Sequence, residues 1–140
     1  MNLYTELTTH WPLLLVAIGF LLLLFKGPLS RKLAGVQEIS PQQAVQLINQ
    51  EDALVIDVRE QHEWSKGHLA NAKHIPVGEL QKYLQDLHKH KERHVICQCA
   101  SGMRSVRAAG ILHRAGFPKV YSLKGGIQAW RSAGLPVHKG

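Results

Sequence analysis

The sequence predicts an α/β fold: an open, mainly parallel sheet flanked by helices and preceded by one transmembrane helix. Three observations predict it. Apolar runs of strand length alternate with helical patterns over roughly 100 residues, which favours parallel strands joined by helical crossovers. An uncharged run, WPLLLVAIGFLLLLF (11–25), stands ahead of them. The two cysteines lie two residues apart, where a strand-like run passes through a small polar loop into a helix. The 140 residues suffice for one such domain and hardly for two.

The parts divide as an anchor over 1–26, a linker over 27–38 and an α/β domain over 39–140. Extending the apolar run back to Leu7 gives a stretch of nineteen residues ending at Phe25. A bilayer core takes about 20 mostly apolar residues, with a lower bound near 17. Tyr4 and Trp11 suit the headgroup region, and Pro12 falls near the first turn, where its missing N–H costs little. A cleaved signal peptide fits less well. MNLYTELTTH has no Lys or Arg, and no A-x-A pattern closely follows Phe25-Lys26-Gly27-Pro28.

Charge sets the expected orientation. Residues 1–25 hold one acid, Glu6, and no Lys or Arg. All 17 basic and the remaining 9 acidic residues therefore lie from Lys26 onward, a net of +8. Lys26, Arg31 and Lys32 follow the apolar run directly, so the positive-inside rule places the N-terminus outside and the body in the cytoplasm. A bacterial inner membrane and contact with lipid through residues 7–26 are the corresponding expectations. In a reducing compartment the two cysteines are free thiols, and two in this length are no disulfide framework. Internal repeats are absent, and no feature points to nucleic acid.

Within the body, Ser40-Pro41-Gln42-Gln43 opens a helix: Ser40 as N-cap, Pro41 at the first position and Gln43 completing a capping box. Ala44, Leu47 and Ile48 follow at helical spacing. ALVIDV (53–58) reads as a strand buried on both faces. Residues 59–73 are polar and irregular, and a short apolar piece over 73–77 is interrupted by Pro76. Leu80, Leu84 and Leu87 mark an amphipathic helix over 79–87. His88 to His94 is a charged connector. Its His88, His90 and His94 lack the cysteine or carboxylate pattern that would complete a metal site. Val95 to Gln98 is a strand, Ser105 to Ala115 a helix closed by Gly116, Lys119 to Leu123 a strand and Gly126 to Ala133 a last helix.

The loop Cys99-Ala100-Ser101-Gly102-Met103-Arg104 sits at the carboxyl end of a strand, where ligands bind in open α/β sheets. Small residues and a glycine let successive N–H groups turn toward one centre, forming an anion nest beside a helix N-terminus. A cysteine there has its pKa lowered, and the thiolate is the nucleophile. Arg104 adds a positive charge. Cys97, inside the strand, is expected to be an inert core thiol. A bridge between the two is disfavoured, because extended residues two apart lie near the upper limit of about 7 Å for a disulfide.

The motif Cys99-x-x-Gly102-x-Arg104-Ser105 resembles the active-site loop of the rhodanese sulfurtransferase family. LVIDVREQHEWSKGHLANAKHIP (54–76) resembles that family's first signature, and GFPKVYSLKGGIQAW (116–130) its C-terminal one. The resemblance covers residues 39 to 137. Leu69, where isoleucine is common, and Asn71-Ala72, where Gly-Ala is common, are mild departures. The resemblance implies a rhodanese-like sheet and a two-step transfer without metal or organic cofactor. Cys99 takes a sulfane sulfur from a donor as a persulfide and passes it to a thiophilic acceptor, a small molecule or a protein. Ala100, Ser101, Gly102, Met103, Arg104 and Ser105 form the loop that holds the persulfide. Asp57 and Arg59 are structural supports, Asp57 by bonding backbone N–H groups or Arg59, and His68 is structural rather than a base. Arg59 with Glu63 reads as a local ion pair, and Trp64 and Trp130 as packing residues. Arg107 and Arg114 are either solvated or an attraction for anionic donors.

Two other readings stand beside this one. A membrane-tethered docking module with little turnover would use the pocket rim or the basic surface. A phosphatase or arsenate reductase is the other enzyme: related phosphatases carry Cys-x5-Arg, one residue longer than the Cys-x4-Arg found here.

Overall fold

The computed structural model describes residues 2–33 and 36–139, without the side chains of Leu7 and residues 25–33. It divides into two compact units, residues 1–33 and 34–140.

The first unit is a single helix, α1 (Leu3–Leu33). Its described side chains from Thr8 to Leu24, bar Gly19, are exposed, among them Leu13, Leu14, Leu15, Val16, Ile18 and Phe20. Among the described residues no helix is long and apolar enough to cross a membrane, so the expected transmembrane helix is not carried by them. The helix also continues through Gly27-Pro28 into the stretch expected to be a linker. A Gly-Pro pair weakens a helix without always ending it.

The second unit holds a five-stranded, all-parallel sheet in the order β1-β5-β4-β2-β3. The strands are β1 (Gln37–Ile39), β2 (Leu54–Asp57), β3 (Lys73–His74), β4 (Val95–Gln98) and β5 (Val120–Leu123). The helices are α2 (Pro41–Glu51), α3 (Gln61–Lys66), α4 (Leu84–Leu87), α5 (Met103–Arg114) and α6 (Gly126–Ser132). The central strand β4 is buried at every position, as a parallel strand covered on both faces must be.

Alternation along β4 divides the core. Val95 and Cys97 point into a cluster with Ile56, Leu80, Leu87 and the inward side of α5. Ile96 points the other way, into a cluster with Ala44 of α2 and Ile127 and Trp130 of α6. Two apolar layers therefore clamp the sheet. The strand after which the chain turns into α5 is the one held most firmly.

The start of α2 forms as its sequence dictates. The Gln43 N–H donates to Ser40 Oγ (3.2 Å) and the Ser40 N–H donates to Gln43 Oε1 (2.9 Å). Three expectations need correction. Strand β1 lies partly inside the expected linker; Gln37 and Glu38 carry no apolar signal, and β1 exists through its parallel pairing with Tyr121 to Leu123. The stretch 59–73 contains α3, too short and too polar to show periodicity. The helix expected over 79–87 is a 3₁₀ segment, Val77–Tyr83, before α4, with a further 3₁₀ turn at His88–His90. Spacing fixed which leucines face inward, and Leu80 and Leu87 are fully buried. It did not fix the winding, and Gly78 in the first turn weakens an α-helical start.

Ser40→Ala is expected to cost about 1 kcal/mol of stability by removing the cap of α2. Urea unfolding of the full chain reads this out as a lower midpoint with an unchanged slope.

Candidate active site

The parallel sheet brings the carboxyl ends of β2, β4 and β5 together, and Cys99 leaves the sheet there. Its side chain is 1% exposed. Gly102 takes a left-handed conformation (φ 103°), which turns the chain so that its N–H donates to Cys99 Sγ at 3.0 Å. Ser105 Oγ lies 3.4 Å from the sulfur and 2.8 Å from Ser122 Oγ on β5. Ser122 fixes the Ser105 hydroxyl from behind.

These contacts set the ionisation of the thiol. Burial, the largest influence, pushes the Cys99 pKa up. The Ser105 hydroxyl and the N–H groups of Ser105, Gly102 and Ser101 together outweigh it, so the pKa falls below that of an ordinary thiol. Cys97 shows burial without this compensation. It is fully buried, and desolvation, reinforced by the neighbouring Cys99, pushes its thiol up to about 12. The two cysteines thus differ as their places in strand and loop predict.

The loop is anchored from outside by its carbonyls. Ile127 N–H donates to the Cys99 carbonyl (2.8 Å) and Gln128 N–H to the Ala100 carbonyl (3.2 Å), both from the first turn of α6. The Gln98 amide gives the Cys99 carbonyl a second donor at 2.7 Å. Carbonyls held outward leave the N–H groups free to face the sulfur. The backbone of α6 approaches so closely that only glycine fits at 126 (φ 60°). A Cβ there would collide with the Cys99 carbonyl oxygen and the Ala100 carbonyl group.

Asp57 and Arg59 form the support on the β2 side. Residues two apart at a strand end share a face, and the Arg59 guanidinium donates to Asp57 through Nε (3.0 Å to Oδ1) and Nη2 (2.8 Å to Oδ2). The Arg59 N–H adds a bond to Oδ1 at 3.0 Å. Arg59 also donates to the carbonyls of Glu63 (3.3 Å) and Gly67 (2.7 Å), fastening the α3 segment to the sheet. The pair is buried.

The expected Arg59–Glu63 ion pair is not formed. Asp57 claims Arg59, and the Glu63 carboxylate pairs with Arg104 through both Nη atoms, at 2.7 and 2.9 Å. The Arg104 hydrogen bonds hold the Glu63 carboxyl down at about 2, against burial that raises it. The positive charge that Arg104 adds to the loop is therefore paired with Glu63.

Of the remaining loop residues, Ser101 and Ser105 supply N–H groups to the sulfur. Ala100 contributes its carbonyl, and Met103 is 74% exposed at the rim. Trp64 stacks between His68 (3.7 Å) and His74 (4.8 Å), a packing role that also holds His68. Trp130 is buried, with Nε1 donating to the Pro136 carbonyl. His94 bonds the Tyr121 hydroxyl and His90 the Arg93 side chain. Among the described residues no cluster of metal-ligating side chains forms. An apolar groove of about 320 Å³ beside Trp130, Leu69 and Ile48 includes no residue of the Cys99 loop. Sequence reasoning missed the roles of Ser122, Gln98 and Glu63; a serine and a glutamine inside otherwise apolar strands were the available signals.

The chain is similar to several known proteins. Residues 40–133 match the family model described as Rhodanese-like domain. Protein YibN of Escherichia coli (strain K12) is 36% identical over 135 residues, covering 96% of this chain and 90% of that protein. That span necessarily takes in most of α1. Thiosulfate sulfurtransferase GlpE of Actinobacillus pleuropneumoniae serotype 7 is 37% identical over 100 residues, covering 71% and 91%. A crystal structure of a rhodanese-related protein from Thermoplasma volcanium superposes with a TM-score of 0.67 at 31% identity, covering 74% and 99%.

Alkylation of Cys99 by iodoacetamide, followed against pH, is expected to have its midpoint below that of an ordinary thiol, with Cys97 unreactive until the chain unfolds. Ser105→Ala removes a donor that favours the thiolate, so its midpoint moves to higher pH.

Proposed function

The chain belongs to the rhodanese-like family, and from that premise we propose that it is a membrane-anchored sulfurtransferase that carries a sulfane sulfur as a Cys99 persulfide. The observation that carries the reading is the Cys99 sulfur, nearly buried and held by the Gly102 N–H, the Ser105 hydroxyl and the neighbouring loop N–H groups, with its pKa lowered.

In the first step the Cys99 thiolate attacks the outer sulfur of a donor. The Sγ–S bond forms, the donor's bond to that sulfur breaks, and the donor leaves with the electron pair. The product is an anionic persulfide at the centre of the loop, where fixed N–H groups stabilise charge without reorganising. In the second step an acceptor thiolate attacks the outer sulfur and Cys99 departs as the thiolate, again favoured by the loop. Asp57 and Arg59 hold the strand end, and Ser122 holds Ser105.

The anchor belongs to the same proposal. The uncharged run from Leu7 to Phe25 is nineteen residues, of which Leu7 and Phe25 lie outside the described side chains. A row of exposed Leu, Val, Ile and Phe along α1 is an apolar surface that a lipid phase would cover. Lys26, Arg31 and Lys32, just after this run, favour a cytoplasmic body by the positive-inside rule.

The full chain in detergent, incubated with sulfane sulfur donors including thiosulfate and an organic persulfide, is expected to gain the mass of one sulfur on Cys99. Cyanide removes it, Cys99→Ser abolishes it and Cys97→Ser retains it. No gain with any donor would refute the enzyme and leave the docking module. In sealed cells the body is expected to resist protease added outside and to be digested once the membrane is opened; digestion in intact cells would overturn the orientation.

A further inference from the structure

The arginine charges around the loop are balanced within ion pairs. Arg59 is consumed by Asp57 and Arg104 by Glu63, so neither arginine offers a surplus positive charge. Arg104 lies in the first turn of α5, five positions after Cys99. It feels the charge of the Cys99 thiolate and of Glu60 as well as that of Glu63. Glu63 accepts both Arg104 bonds at 2.9 Å or less, and its Oε1, which takes one of them, also accepts from the Glu60 N–H (3.1 Å). The pairing links α3 to the first turn of α5. Arg107 and Lys124 are exposed, where water and salt screen their charge. The rim also carries an apolar element, the thioether of Met103.

We propose that Glu63 is a specificity-determining residue, which turns the Cys99 loop away from dianionic sulfur donors and toward organic donors carrying a single negative charge at most. The proposal rests on the sulfurtransferase reading above and names its donor class. A dianion approaching the thiolate meets negative charge that Arg104, already neutralised, does not offset. A monoanionic or neutral donor meets half of that repulsion or none, and its organic group finds Met103 at the rim. Glu63 does not touch the reacting atoms; it acts by cancelling Arg104.

Two donors with the same sulfane sulfur and sulfonyl geometry, differing by one charge, isolate the effect. With thiosulfate, Cys99–S⁻ and S–SO₃²⁻ give Cys99–S–S⁻ and sulfite, SO₃²⁻. With methanethiosulfonate, Cys99–S⁻ and CH₃SO₂–S⁻ give Cys99–S–S⁻ and methanesulfinate, CH₃SO₂⁻. In both, the new S–S bond forms as the donor's bond to its sulfane sulfur breaks, and the leaving sulfur(IV) anion takes the electron pair.

The test is the ratio of single-turnover rates for the two donors, measured by intact mass on the full chain in detergent. The wild type is expected to favour methanethiosulfonate. Glu63→Gln frees Arg104 and is expected to raise the thiosulfate-to-thiosulfonate ratio about fivefold, the order expected of one added charge in a solvent-screened setting. Arg104→Gln leaves Glu63 uncompensated and lowers the ratio by a similar factor. The double variant removes both charges and returns it to within about twofold of wild type. A purely structural role for Glu63 would change both rates together and leave the ratio where it was. An unchanged ratio in Glu63→Gln overturns the proposal, as does a double variant whose ratio stays as low as in Arg104→Gln. Should Glu63→Gln fail to fold, the comparison of Arg104→Gln with the double variant decides alone. Absence of sulfur on wild-type Cys99 from either donor is a separate result, which would sink the sulfurtransferase reading itself.

Discussion

The site depends on where two carbonyl groups point. A loop of six residues can aim its N–H groups at one atom only if the carbonyls of the same peptides are held elsewhere. Here the first turn of α6 takes the Cys99 and Ala100 carbonyls, and the Gln98 amide reinforces the first of them. The close approach this requires excludes a side chain at 126. The Gly-Gly pair near the C-terminus of the domain is thus part of the machinery of a cysteine more than twenty residues earlier in the chain. The cost falls on Gln98, whose Oε1 is buried without a partner among the described residues. An unsatisfied buried acceptor of this kind costs about 1–3 kcal/mol.

Two ion pairs then fasten the surrounding frame, and they differ in kind. Asp57 and Arg59 are buried together and tie the end of β2 to the carbonyls of Glu63 and Gly67. Such a pair adds little net stability but is costly to break, since the partner left behind is a buried charge. Glu63 and Arg104 are half-buried and link α3 to the first turn of α5 across the loop mouth. Through these pairs the polar 59–67 stretch, which looks unstructured by composition, becomes the wall of the site.

Much of this was legible in the sequence, and the remainder was hidden for identifiable reasons. Ser40, Pro41 and Gln43 announce α2 because capping is a local interaction between neighbours in sequence. The runs 53–58 and 95–98 announce central strands because burial on both faces demands continuous apolar residues. Cys99 announces itself through its loop, and Cys97 through its strand. By contrast, β1 is made by its partner: nothing in Gln37-Glu38 favours a strand until β5 lies beside it. The choice of Glu63 for Arg104 rather than Arg59 is a long-range result across 41 positions, and local proximity pointed to the wrong partner. The rhodanese-like signatures pointed to the Cys99 loop, but they did not say that the charge of Arg104 is paired with Glu63.

The contrast between the two thiols bears on how the protein withstands oxidants. A cysteine converted to its sulfenic acid is commonly rescued by a nearby thiolate that condenses with it to a disulfide. Cys97 is two residues from Cys99, but its thiol is pushed up to about 12 and sealed among Ile56, Val95 and the α5 side chains. At neutral pH it presents essentially no thiolate. Such a thiol is poorly suited to act as an internal resolving partner for Cys99. The packing that silences Cys97 thus also denies Cys99 a neighbouring thiolate.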